Sequence, residues 1–244
     1  MIPIIRPINS KMTKCLLKKN VFIFFDLENY GKQKRQQNHY QYRVNTIDEI
    51  ETHIKKYSTK NLLVRVDNPN SPMFNDQLIF LKKKNIENIM IPYFKNIKDL
   101  KDLKKLNFTP KNLIFLFETI QSVNKIEKFI KIYNISKCYI GLNDLSISLG
   151  YGNPYETANL FFSSLITKKS KFLKRKEINF GVGGISYFND KNLIFSPKLI
   201  KKRLNELGSQ YVLMSSNFYK KISKLKTKSK IDNFLNKNIQ FLKN

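Results

Sequence analysis

The sequence predicts an α/β fold, a single-domain (β/α)8 TIM barrel, and three observations carry that expectation. Eight short apolar runs alternate with segments of helical period. A chain of 244 residues suits one such barrel. Charged residues stand at the C-terminal ends of several runs, the edge at which α/β proteins build their sites. A doubly wound open sheet is the alternative architecture.

The first strand is read in Ile2 to Ile8 (IPIIRPI), with prolines at its ends. Lys11 to Lys19 has helical spacing, with Met12, Cys15 and Leu16 on one side. Val21 to Phe25 (VFIFF) is continuously apolar, as a strand covered on both faces tends to be, and runs into Asp26-Leu27-Glu28-Asn29. Tyr30 to Tyr42 is polar and basic and begins as a loop; Asp48 to Tyr57 reads as a helix. Leu62 to Val66 (LLVRV) is the third strand and carries Arg65. In a sheet covered on both faces such an arginine points into the site or is paired.

After the turn-rich Asp67 to Pro72 come a helix over Phe74 to Lys84, a strand over Ile86 to Tyr93 and a helix over Ile97 to Leu106. Strands five and six, Leu113 to Phe117 and Cys138 to Leu142, flank a helix over Ser122 to Tyr133. A helix over Pro154 to Lys171 leads to a strand over Ile178 to Val182, which runs into Gly181 to Ser186 (GVGGIS). A helix over Pro197 to Leu207, capped by Gly208, precedes the eighth strand, Tyr211 to Met214. Asn217 onward is helical and basic. Residues 1–215 are expected to form the catalytic barrel. Residues 216–244 are read as a basic helical extension of the same domain, a candidate to pack on a neighbouring subunit.

A barrel gathers its strand ends around one mouth. Here that brings together Asp26, Glu28, Arg65, Tyr93, Glu118, Asp144 and the glycines near 183. Glu118 and Asp144 come from adjacent strands. Two neighbouring carboxylates repel unless a proton or a cation lies between them. A divalent, oxygen-loving ion is the economical solution. Mg²⁺ takes one or two carboxylates and leaves its other positions to water and substrate oxygens; Mn²⁺ or another divalent ion would suit the same ligands. A 2-oxo acid fills two such positions, and the metal polarises its ketone and stabilises an enolate. Arg65 would pair with the enolate oxygen or a second carboxylate. Asp26 or Glu28, directly or through water, would move a proton. Solvated loop carboxylates are the plain alternative to all of this.

Composition narrows the function classes. At 41% hydrophobic residues the chain is not a disordered one. No apolar run reaches the length of a membrane span, and the N-terminus lacks a signal-peptide pattern, so a cytoplasmic protein without a membrane partner is expected. Cys15 and Cys138 are isolated and read as reduced structural thiols. The net charge is +27, but 39 of the 45 basic residues are lysine and they are dispersed, apart from a denser stretch at Lys220 to Lys230. A dedicated nucleic-acid site would favour arginine, so no specific nucleic-acid partner is expected.

Several segments together resemble the HpcH/HpaI aldolase and citrate lyase beta-subunit family, in the phosphoenolpyruvate/pyruvate group of TIM barrels. Phe25-Asp26-Leu27-Glu28-Asn29 looks like its DLED or D-x-E-H segment, and Lys32 to Arg35 like the Lys-rich, Arg-containing stretch that follows. Val64-Arg65-Val66-Asp67 is similar to its VRVN strand, and Met90-Ile91-Pro92 to its M-x-P strand. Phe117-Glu118-Thr119 resembles the I-E-T metal-ligand strand, and Gly141-Leu142-Asn143-Asp144-Leu145-Ser146 the GxNDLS segment. The resemblance implies Glu118 and Asp144 as metal ligands and Arg65 as the substrate-carbonyl arginine. It places Asp26 and Glu28 near the catalytic water; Asn143, in the same segment as Asp144, is a further substrate-binding candidate. It implies carbon–carbon cleavage or formation on pyruvate, oxaloacetate or acetyl units, sometimes as CoA thioesters, in a homo-oligomer, a trimer or a hexamer.

The chain departs from the pattern at Asn29, where aldolase members place histidine and citrate lyase-like members aspartate. Asparagine cannot act as a base at neutral pH. His39 and His53 do not match that position and read as surface histidines. Tyr93 stands where citrate lyase-like members often have lysine. Gly181 to Ser186 is read either as a phosphate or CoA-phosphate loop or as close backbone packing. Two further functions stay open: a catalytically degenerate, metabolite-binding barrel, and, less favoured, a basic nucleic-acid-binding protein.

Overall fold

Strand β1 (Ile2–Ile5) pairs in parallel with both β2 (Phe22–Asp26) and β8 (Tyr211–Met214), so the sheet closes on itself. Between them run β3 (Leu62–Arg65), β4 (Asn88–Ile91), β5 (Asn112–Phe117), β6 (Lys137–Ile140) and β7 (Asn179–Ile185), each paired with the next in chain order. This computed structural model describes residues 1–36, 44–105, 112–151 and 154–244. The protein is a closed eight-stranded parallel barrel, and the open-sheet alternative is overturned.

The period of two along each strand sorts the side chains into two cores. Ile4, Phe24, Leu63, Met90, Ile114, Leu116, Tyr139 and Tyr211 fill the barrel interior. Their neighbours, such as Ile23, Phe25, Val64, Ile89, Phe117 and Ile140, point outward beneath the helices. Both sets are buried, which is why these strands read as continuous apolar runs without alternation.

Two of the expected helices are broken where one period was read. The segment expected over Ser122 to Tyr133 is two helices, Ile120–Asn124 and Ile126–Tyr133, with Lys125 between them. The one expected from Pro154 to Lys171 breaks at Ser163, whose hydroxyl accepts from the Ile166 N–H and starts a fresh helix, Ser164–Arg175. The GLNDLS segment, which no period flagged, itself begins a helix, Leu142–Ser148. Helix Pro197–Leu207 and its left-handed Gly208 cap stand as expected.

Three further expectations are corrected. First, the C-terminal helix, Lys228–Lys243, does not offer its apolar stripe to a neighbouring subunit. Ile231, Leu235, Ile239 and Leu242 are buried, and the helix packs on Ser10–Leu16 and β1 of its own barrel. Second, the glycines of GVGGIS lie within β7, so of the two readings the phosphate loop falls and close packing stands. A Cβ at Gly181 would stand 2.3 Å from the Tyr139 ring, and one at Gly183 would stand 2.4 Å from Phe161. Gly183 also has φ +59°. Close packing accounts for both. Third, His53 is not a surface residue. It is buried between Phe25 and Tyr57, with ring centroids 5.0 and 5.3 Å away. His39 lies outside the described residues.

His53 Nε2 is buried with no hydrogen-bond partner among the described residues. Burial lowers its pKa below the ordinary 6.5, so the folded state resists protonation there. The unfolded chain binds that proton first as pH falls. Stability is therefore fully present above about 6.5 and declines below it, toward the folded pKa. Urea unfolding between pH 7.5 and 5 should show this decline, and His53→Phe should flatten it. An equally steep decline in that variant would assign the effect elsewhere.

Candidate active site

The same period of two builds the site. Asp26 and Arg65 end β2 and β3 at inward positions and are register partners across the two strands. Arg65 Nε and Nη2 donate to Asp26 Oδ1 and Oδ2 at 2.9 and 2.6 Å, a two-pronged pair. Lys32 Nζ donates to Asp26 Oδ2 at 3.0 Å. Burial alone would raise the Asp26 pKa, but Arg65 and Lys32 outweigh it and hold the carboxyl well below the ordinary range.

Glu28 lies just beyond β2 and is also buried. Arg35 Nη2 stands 2.6 Å from its Oε1, while Lys32 and Arg65 stand 3.1 and 3.3 Å from its Oε2. Burial pushes its pKa up; Arg65 and Lys32 overcome that, and the net shift is downward. Lys32 and Arg35 both come from one short helix, Lys32–Gln36, at a spacing that sets them on one face. The chain entering that helix is pinned from β3's side, because Asp67 Oδ1 accepts from the Asn29 and Tyr30 N–H groups.

Glu118 follows β5 at the next inward position after Leu116. Its space is made by Gly141: a Cβ there would stand 2.9 Å from Glu118 Oε2. Glu118 Oε1 accepts from the backbone N–H of Tyr93 at 3.0 Å. Tyr93 holds that N–H in place with φ +47°, a conformation that costs a non-glycine residue about 1–2 kcal/mol. Among the described residues no lysine or arginine lies within ion-pair distance of Glu118. Burial, then the Asp144 and Glu28 carboxylates, drive its pKa well above the ordinary range.

Asp144 sits in the first turn of helix Leu142–Ser148. One carboxylate oxygen from each of Glu28, Glu118 and Asp144 lies within 4.8 Å of the others, all three buried. Among the described residues the site holds four carboxylates (Asp26, Glu28, Glu118, Asp144) and three cations (Lys32, Arg35, Arg65). Asp26 is saturated by its cations, whereas Glu118 is crowded by like charge. A hard divalent ion held through oxygen ligands fits the Glu28, Glu118 and Asp144 donor set.

The structure thus brings Asp26, Glu28, Arg65, Glu118 and Asp144 to one place. Asn143 is exposed on the Leu142–Ser148 helix, and its carbonyl accepts from the Ser146 hydroxyl. Asn29 is exposed, tied down by its backbone. Lys32, Arg35 and Tyr93 join the site: the sequence places Tyr93 at the mouth and marks Lys32 to Arg35 as a family-like stretch, but gives none of the three a definite role. Tyr93's role rests on its backbone angle, which no residue type announces.

The profile of the HpcH/HpaI aldolase/citrate lyase family matches residues 12–176, more than half of the chain. The chain belongs to this family. The family is one of aldolases and lyases. No curated protein matches the sequence.

Solved structures share the fold at low identity. An HpcH/HpaI aldolase from Desulfitobacterium hafniense DCB-2 is 15% identical over 92% of both chains, with a TM-score of 0.59. A citrate lyase beta subunit from M. tuberculosis, complexed with oxaloacetate and magnesium, is 12% identical over 89% of this chain and 93% of that one, TM-score 0.54. Citrate synthase SbnG is 15% identical over 91% and 90%, TM-score 0.61. Among the described residues no helix is long and apolar enough to cross a membrane.

Proposed function

We propose that this chain is a divalent-ion-dependent carbon–carbon lyase of aldolase or citrate lyase type, acting on a small 2-oxo acid such as pyruvate or oxaloacetate. The observation that carries the reading is the buried triad Glu28, Glu118 and Asp144, its oxygens within 4.8 Å, beside Arg65. The aldolase, citrate lyase and citrate synthase structures with the same fold support the reaction class, and the citrate lyase complexed with magnesium and oxaloacetate supports the ion and the kind of acid.

Glu118 and Asp144 would hold the ion, Mg²⁺ by preference, with Glu28 beside them. Such an ion supplies Lewis acidity to the ketone oxygen and to the enolate that follows from it. Asp26 fixes the Arg65 fork by taking Nε and Nη2, which leaves the Nη1 edge to donate to a substrate oxygen. Asp26 is thereby a positioning residue, and proton transfer falls to Glu28. Lys32 and Arg65 stand 3.1 and 3.3 Å from its Oε2 and keep it ionised, the state that can take a proton from a substrate hydroxyl or a bridging water. Residues 1–215 carry this chemistry, and 216–244 complete the same domain.

A catalytically silent, metabolite-binding barrel is the second reading. It is favoured by exposed Asn29 and by two acids, Asp26 and Glu28, held ionised by cations. Proton exchange separates the two. In D₂O with Mg²⁺ the protein should exchange the methyl protons of pyruvate, followed by NMR. Chelation should stop the exchange and added Mg²⁺ or Mn²⁺ should restore it. Pyruvate binding without exchange would establish the second reading.

A further inference from the structure

A divalent ion and the Arg35 side chain call on the same carboxylates. Arg35 Nη2 lies 2.6 Å from Glu28 Oε1 and 3.6 Å from Asp144 Oδ2, so one nitrogen spans two members of the triad. Lys32 and Arg65 are placed differently: both are engaged with Asp26 and the far oxygen of Glu28. Arg35 alone of the three cations reaches across to Asp144 among the described contacts.

Its footing is separate from those acids. The guanidinium carbon sits 3.7 Å from the centroid of the Tyr93 ring, and Nη1 donates to the Tyr30 carbonyl at 3.2 Å. Tyr93 in turn holds Glu118 through its N–H. One residue therefore supports the third acid with its backbone and the cation with its ring. Arg35 can give up Asp144 and keep that support.

We propose that Arg35 is a built-in competitor of the divalent ion: it holds Glu28 and Asp144, and the ion gains its full set of acids only as the guanidinium releases them. The inference rests on the metal site proposed above and adds a residue that sets its affinity. The physical reason is like-charge repulsion. A guanidinium and a dication that share carboxylates across a few ångströms of buried site each weaken the other's hold. The contrary role, in which Arg35 merely orders Glu28 for the ion, has the opposite sign: its loss would loosen an acid and weaken binding.

Mn²⁺ binding, read by the electron paramagnetic resonance of the free ion, decides between them. Arg35→Gln should bind Mn²⁺ more tightly than the unaltered protein, by at least about tenfold, which Coulomb's law gives even with water-like screening. Arg35→Lys keeps the charge but loses the span and the flat stack on Tyr93, and should fall between the two. Mn²⁺ should also raise the melting temperature of Arg35→Gln more than that of the unaltered protein. Equal or weaker binding by Arg35→Gln overturns the proposal. If that variant does not fold, equal or weaker binding by Arg35→Lys overturns it. Glu118→Gln is the control for the site: Mn²⁺ binding undiminished in that variant would overturn the metal site itself, and the Arg35 proposal with it.

Discussion

Glu118→Ala and Asp144→Ala are each expected to abolish ion-dependent turnover. The two side chains, with Glu28, place three carboxylate oxygens within 4.8 Å of one another in a buried site. A bound divalent ion stabilises transition-state charge by several kcal/mol, so its loss should lower kcat/KM by about 10³-fold or more. Pyruvate exchange measured across an Mg²⁺ titration checks it; full activity with unchanged ion dependence in either variant would sink the assignment.

Stability should move the other way in the isosteric variant. Burial and two neighbouring carboxylates raise the Glu118 pKa. A raised pKa means stability that is present at low pH and lost as pH rises through the folded value. At neutral pH in the presence of a chelator, Glu118→Gln should therefore be at least as stable as the unaltered protein. Loss of turnover with a retained melting temperature separates chemistry from folding.

The second large effect concerns Arg65. Its fork is buried against Asp26 at 2.9 and 2.6 Å, and Glu28 lies 3.3 Å away. Removing one partner of a buried pair strands the other, at a cost of about 3–5 kcal/mol. Lys32 stays on Asp26, which places Arg65→Met near the lower end. A loss of about 3 kcal/mol corresponds to a fall in Tm of roughly 6–12 °C for a domain of this size. The double variant Asp26→Asn, Arg65→Met should recover part of that loss, because position 26 then carries no charge that lacks its fork, while Lys32 keeps Glu28 at 3.1 Å. Calorimetry of the three proteins checks both statements. A double variant no more stable than Arg65→Met would mean that packing, not charge, sets the cost.

Much of the site was legible before any fold was known. A strand covered on both faces has no tolerance for an unpaired arginine, so Arg65 had to be in the site or paired. It is paired with Asp26, its register partner on the next strand. Glu118 and Asp144 were legible for a related reason, since a carboxylate just after β5 and one in the first turn after β6 meet at one edge of the barrel. Helix lengths were less legible. A helical period continues across a break, and it does not show that the Ser163 hydroxyl caps a new helix. His53 was misread because a lone polar residue in a polar stretch gives no sign that its face packs on Phe25.

What the sequence determined by itself was the order of the barrel and which residues crowd its mouth, because strand period, chain order and parallel pairing leave them no other place. Only the tertiary structure decided how the charges are shared. Asp26 and Glu28 are both acids after β2, yet Asp26 is saturated by Arg65 and Lys32 while Glu28 joins Glu118 and Asp144. Arg35 faces that triad because Asp67 pins the loop that carries it and a left-handed Tyr93 offers its ring. Those choices depend on distances of a few ångströms between segments far apart in the chain, and electrostatic energies in a buried site turn on such distances.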